Sequence, residues 1–106
     1  MGEIVILSTA ETIAIAHNIA RTLVESGDVA CVNIVPGIQS IYSWQGTIYE
    51  EGELMLLIQA TSDKFESIRS TIRRLSTCNL PQIIALPITA GDMEYLRWLG
   101  GVPILP

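Results

Sequence analysis

Charge is scarce in this chain. Asp, Glu, Lys and Arg together make 16% of its 106 residues, and histidine occurs once. Disordered chains pair low hydrophobicity with high charge, and a hydrophobic fraction of 49% places this sequence in the opposite class. Basic side chains are the rarer sign, 6 against 11 acidic, for a formal net charge of −5. A phosphate-binding surface needs a basic face, so nucleic acid is not expected as a partner. Cysteine is limited to Cys31 and Cys78, no disulfide framework for a chain this rich in apolar residues, and a reduced cytoplasmic setting is expected. Long hydrophobic runs are missing too: Leu54–Ile58 and Ile83–Leu86 fall far short of the roughly 20 residues that a spanning helix needs. Met1-Gly2-Glu3-Ile4 carries no positive segment, and Ile6 stands where a myristoylation signal has Ser or Thr, so no leader or lipid anchor is expected.

Chemical motifs are equally sparse. There is no Gly-x-Ser-x-Gly, no Cys-x-x-Cys and no paired histidine, and Thr89-Ala90-Gly91-Asp92 fits neither dinucleotide nor Walker spacing. His17 falls in a helical pattern without a Ser or Cys motif beside it, so nucleophilic catalysis lacks a base. The expectation is a protein that is not an enzyme and holds no resident cofactor. A metal ion within one chain could draw only on Cys31, Cys78 and His17 as soft or imidazole ligands. Cys31, in Val29-Ala30-Cys31-Val32, reads most simply as a small buried hydrophobe, and His17 as a partly solvated surface residue. A symmetric oligomer could still gather copies of one residue on its axis.

What remains is apolar patterning sized for a single domain over residues 1–106. Glu3–Ser8 reads as a buried strand, and Ser8 with Glu11, or Thr9, caps a helix beginning near residue 11. Ile13, Ala16, Ala20 and Leu23, with Ile19 beside them, form its apolar face, and Gly27 ends it. Val29–Trp44 is extended, with a bend or bulge at Pro36-Gly37, and Gln45-Gly46 turns the chain into a second long strand, Thr47–Thr61. Two strands of about 14 residues, where 5–6 is usual, must reach past their own sheet. Asp63 and Glu66 cap a second helix with Phe65, Ile68, Ile72 and Leu75 on one face. Ile83–Ile88 is another buried strand, Gly91-Asp92 opens a short helix carrying Tyr95 and Trp98, and Val102–Pro106 is an apolar tail. The order β-α-β-β-α-β plus a terminal helix is the split βαβ, ferredoxin-like α+β arrangement, with both long helices on one sheet face.

That fold leaves the other sheet face to be covered, and low charge on so small a domain points to a second copy of the chain. Ile41, Tyr42, Trp44, Ile48 and Tyr49 crowd the hairpin tip, a composition suited to an interface and equally to cross-strand aromatic packing. Glu50, Glu51 and Glu53 form the dense acidic cluster. It reads as a solvated edge, as a cation-attracting patch, or as a set of partners for a neighbour's arginines.

Cys31-Val32-Asn33-Ile34-Val35-Pro36-Gly37-Ile38, then Ser40-Ile41-Tyr42-Ser43-Trp44-Gln45-Gly46, resemble the CutA family of divalent-cation tolerance proteins. The match continues through Glu50-Glu51, Pro81–Ile88 and Gly91-Asp92 with Tyr95-Leu96-x-Trp98, nearly the whole chain in order. The resemblance implies a homotrimer similar in architecture to PII-type signalling proteins, and a role in tolerance to copper and other divalent metals. It further implies an intersubunit cleft lined by Cys31, Tyr42, Trp44, Glu51, Tyr95 and Trp98, with Gln59 where relatives commonly carry lysine. Ser76-Thr77-Cys78-Asn79 replaces the usual His-Pro-Tyr-Glu stretch, and Ser8 stands where some members have cysteine. These departures remove positions from which copper ligation has been proposed. A cleft ligand, either a small molecule or a cation, is the leading expectation. Direct Cu(II) or Zn(II) binding through Cys31 or Cys78, and a PII-like interaction scaffold, are the alternatives.

Overall fold

The computed structural model describes residues 2–101. Strand β1 (Glu3–Ala10) is followed by helix α1 (Ile13–Glu25), strands β2 (Cys31–Trp44) and β3 (Thr47–Thr61), helix α2 (Phe65–Leu75), strand β4 (Ile83–Pro87) and helix α3 (Met93–Leu99). The sheet order is β2-β3-β1-β4 with each neighbouring pair antiparallel, which is the expected ferredoxin-like topology. The apolar tail expected at Val102–Pro106 lies outside the described residues.

Alternation along the strands sorts the sheet into two faces. Ile4, Ile6, Leu54, Leu56, Ile58 and Ala60 point to one side, where they bury against Ala16, Ile19 and Leu23 of α1 and Ile68 and Ile72 of α2. Ala16, Ile19 and Leu23 follow helical spacing, but Ile13, expected on that face, stands 54% exposed at the first turn.

Helix starts depart from expectation. β1 runs on to Ala10, and Ser8, facing the core, is fully buried with its hydroxyl donating to the Gln82 carbonyl at 2.6 Å. It is therefore occupied, and Thr12 caps α1 instead, accepting from the Ile15 amide at 3.2 Å. At the second helix a 3-10 turn, Ser62–Lys64, intervenes, and Lys64 occupies the cap position without a side-chain bond. Asp63 is engaged locally: a hydrogen bond from Thr61 holds its carboxyl below the ordinary range. Asp92 does cap α3, accepting from the Tyr95 amide at 3.1 Å.

Ile83–Ile88, expected to be a buried strand, is instead the five-residue edge strand β4, with Ile84 and Leu86 about half exposed. Pairing of Ile84 with Leu7 and of Leu86 with Val5 sets these two side chains on the face that the long helices do not cover.

The hairpin outruns the sheet. β1 pairs with β3 only as far as Leu54, so Ile38–Trp44 and Thr47–Glu53 pair with each other alone. Gln45 (φ +50°) and Gly46 (φ +82°) close the ribbon in the two-residue turn that matches strand twist. Between Val35↔Met55 and Ile38↔Glu53, β2 advances three residues while β3 advances two. This bulge at Pro36-Gly37 shifts the parity of β2. Cys31, Asn33 and Val35 lie on the uncovered face before it, and Tyr42 and Trp44 lie on that face after it.

Leu56, fully buried between sheet and helices, reports the core. Leu56→Ala is expected to lower the unfolding free energy by about 2–5 kcal/mol in a guanidinium titration, the cost of an unfilled methyl-rich cavity.

Candidate functional site

The face left by α1 and α2 is where the residues singled out in the sequence reside. Its middle is apolar, formed by Val5 and Leu7 of β1, Val35 of β2, Met55 and Leu57 of β3, and Ile84 and Leu86 of β4. Two polar groups flank it, at opposite ends.

At the end nearest α3, Gln59 is held from both sides. Its amide nitrogen donates to Asn33 Oδ1 at 2.7 Å, and its carbonyl oxygen accepts from the Tyr95 hydroxyl. Cross-strand pairing of Cys31 with Gln59 brings the thiol into the same group. Desolvation, with the Cys31 thiol adjacent, pushes the Tyr95 phenol above its ordinary value, and Gln59 opposes that shift. Trp98 stands one helical turn along α3, its ring 5.4 Å from that of Tyr95. Cys31 is half-buried rather than buried, because β2 is an edge strand there and its open-face side lacks a neighbour.

At the hairpin tip, Tyr42 donates to Glu51 at 2.8 Å and stacks on Tyr49 with centroids 5.5 Å apart. Trp44 follows on the same face, two residues along. The hydrogen bond to Glu51, then partial burial and the Glu51 charge, raise the Tyr42 phenol to about 12, because a phenolate there would face a carboxylate. Glu53 lies on this face too, and Glu50 on the other, opposite Ile41.

The seven cleft candidates thus form two groups: Cys31, Gln59, Tyr95 and Trp98 at one end, Tyr42, Trp44 and Glu51 at the other. Glu51 and Gln59 are eight residues apart on one strand, about 26 Å at 3.3 Å per residue, so one chain does not close them into one site. Asn33 was missed in the sequence. The signal was available, since it lies two residues from Cys31 on an alternating strand and so shares its face. Also unforeseen is a shallow cavity of about 370 Å³ between Gly27–Ala30, Thr61, Lys64 and Trp98–Gly101. At its rim Asp28 accepts from Ser67 and meets Lys64 at 3.9 Å.

Metal ligation gains little from this placement. His17 is exposed on α1 and Cys78 is exposed in the α2–β4 connection. Among the described residues no three His, Cys, Asp or Glu side chains converge to hold an ion. Around Cys31 the neighbours are amides and a phenol, so the donors of one chain do not fit a resident metal centre.

These features define a ferredoxin-like α+β subunit with one sheet face bare of long helices and a projecting ribbon. A family model described as "CutA1 divalent ion tolerance protein" matches residues 4–101. The divalent-cation tolerance protein CutA of Thermus thermophilus is 45% identical over 97 residues, covering 92% of this chain and 94% of the relative. Protein CutA of Homo sapiens is 36% identical over 85 residues, 80% of this chain, and the chain spans only 48% of that longer protein. Among solved structures, the divalent cation tolerance protein of Thermus thermophilus superposes with a TM-score of 0.91 at 44% identity, covering 93% of this chain and 96% of that one. The CutA of Archaeoglobus fulgidus, described as periplasmic, gives 0.88 at 34% identity, covering 92% and 94%. The chain belongs to the CutA family of divalent-cation tolerance proteins.

The Tyr42–Glu51 contact is open to direct titration. In Glu51→Gln, the slow-titrating phenol near pH 12 is expected to fall back toward the ordinary value near 10, read from phenolate absorbance. A raised phenol favours the folded form while it stays protonated, so this contribution holds below pH 10 and fades between pH 10 and 12.

Proposed function

We propose that this chain acts as a non-enzymatic, PII-like homotrimer of the cytoplasm in tolerance to copper and other divalent ions, with a small ligand or cation held in clefts between subunits. The observation that carries this reading is the ribbon Ile38–Glu53, which has no same-chain strand on either side and shows Ile41 68% and Ile48 73% exposed at its tip. An isolated two-stranded hairpin is marginal in water, so a ribbon of this length calls for a neighbour. The bare sheet face supplies the matching apolar surface in the next copy. Threefold closure satisfies every copy alike and leaves no open end.

Assembly also supports the site. A ribbon crossing to the next subunit would bring the Tyr42–Glu51 group beside a neighbour's Cys31–Gln59–Tyr95 group. Three chains at −5 each would concentrate cations around the assembly without selecting one. Both cysteines are free, in keeping with a reducing compartment.

Sedimentation equilibrium at micromolar concentration is expected to give three times the 11.6 kDa chain mass. Leu57→Asp, which sets a charge in the middle of the apolar face, is expected to yield dissociated subunits and weaker rescue of copper-sensitive cells lacking the protein. A well-folded monomer of the unaltered chain would overturn the reading. In calorimetric titration with copper, replacing Cys31 and Cys78 by Ser is expected to leave stoichiometry unchanged. Loss of saturable heat in that variant would instead assign the metal to the thiols.

A further inference from the structure

The four strands contain no lysine or arginine. The six basic residues sit elsewhere: Arg21 on α1, Lys64 in the 3-10 turn, Arg69, Arg73 and Arg74 on α2, and Arg97 on α3. Ionisable charge on the sheet is therefore acidic, and at the hairpin tip Glu51 is bound by a neutral donor, the Tyr42 hydroxyl. The other polar group is neutral throughout, an Asn33–Gln59–Tyr95 chain of amides and a phenol. Around these lie aromatic rings, Tyr42 stacked on Tyr49 at one end and Tyr95 against Trp98 at the other.

We infer that the cleft takes a small organic ammonium ion, with Glu51 as its counter-charge and the aromatic rings as its walls. This rests on the trimeric reading above, which alone brings the two groups together. An anion would enter a surface that offers no cation of its own, and would face Glu51. A bare divalent ion requires several hard oxygen donors or converging soft ligands, and the two groups supply one carboxylate among neutral amides. A substituted ammonium ion differs from both. It is weakly hydrated, it is attracted to the faces of Tyr and Trp rings, and it needs only one carboxylate. Gln59 acts in this scheme as the residue that keeps the inner end neutral. An ammonium-bearing side chain in its place would repel the ligand and pair with Glu51 itself.

The test uses tetramethylammonium chloride, with sodium acetate and magnesium chloride as comparison probes at constant ionic strength. Tryptophan fluorescence of the purified protein is the readout, alongside sedimentation of every variant. The expected result is a saturable response to tetramethylammonium alone, weakened about tenfold or more by Glu51→Gln and by Gln59→Lys in protein that remains trimeric. A second readout is independent of fluorescence. Ligand charge beside Glu51 should lower the Tyr42 phenol from its value near 12, seen in phenolate absorbance. A trimer that ignores tetramethylammonium, or that binds acetate or magnesium saturably instead, overturns the inference and leaves the trimeric reading standing. A monomeric wild-type protein overturns both.

Discussion

Strict alternation along β3 is the constraint on which the molecule depends. Leu54, Leu56, Ile58 and Ala60 are buried under the helices, while Met55, Leu57 and Gln59 face the other way. Period-two geometry allows no compromise between these sets, since a slip of one residue would exchange them. β1 obeys the same parity, and so both partners of the central pairing enforce one register. The core is thereby fixed, and with it the identity of every side chain on the uncovered face. That face is nearly as apolar as the buried one, which is why the subunit reads as half of a larger interior rather than as a finished globule.

Much of this was legible in the sequence. The strand β3 was bounded correctly because Thr47–Thr61 is extended throughout and Gln45-Gly46 is strong turn chemistry. The bulge was located because proline cannot donate to a ladder. Two helix caps were misread for a single reason: Ser8 and Asp63 have the right spacing, but capping depends on where the strand stops. Ser8 is still inside its strand, facing inward and bound to Gln82, and a 3-10 turn follows Asp63 where a helix start was expected. Sequence spacing does not carry that information. β4 was read as buried because Ile83-Ile84-Ala85-Leu86 is uniformly apolar, and uniform apolarity does not distinguish a central strand from an edge whose outer cover lies on another chain.

The candidate residues were legible as a list, less so as a geometry. Their resemblance to a family named them, and their spacing along β2 and β3 assigned them to a face. What spacing alone could not supply was the division into two groups. That division follows from the length of the ribbon, because the tip stands more than a strand's usual length from α3. Asn33 illustrates the complementary point. It was passed over as one letter within a motif, and its importance lies in bonding Gln59 across a strand boundary, a relation between residues 26 apart in sequence.

The extra residue at Pro36-Gly37 has a consequence for how such a surface can change over time. It acts as a half-twist in the wiring between the base of the ribbon and its tip. With it, tyrosine and tryptophan emerge on the same side as the thiol and the amides; with one residue fewer, Ile41 and Ser43 would emerge there and the rings would turn to the opposite side. The chemistry displayed at the tip is thus governed by chain length as much as by composition. An insertion or deletion at this spot could invert the ribbon in a single event, while every substitution around it left the display in place.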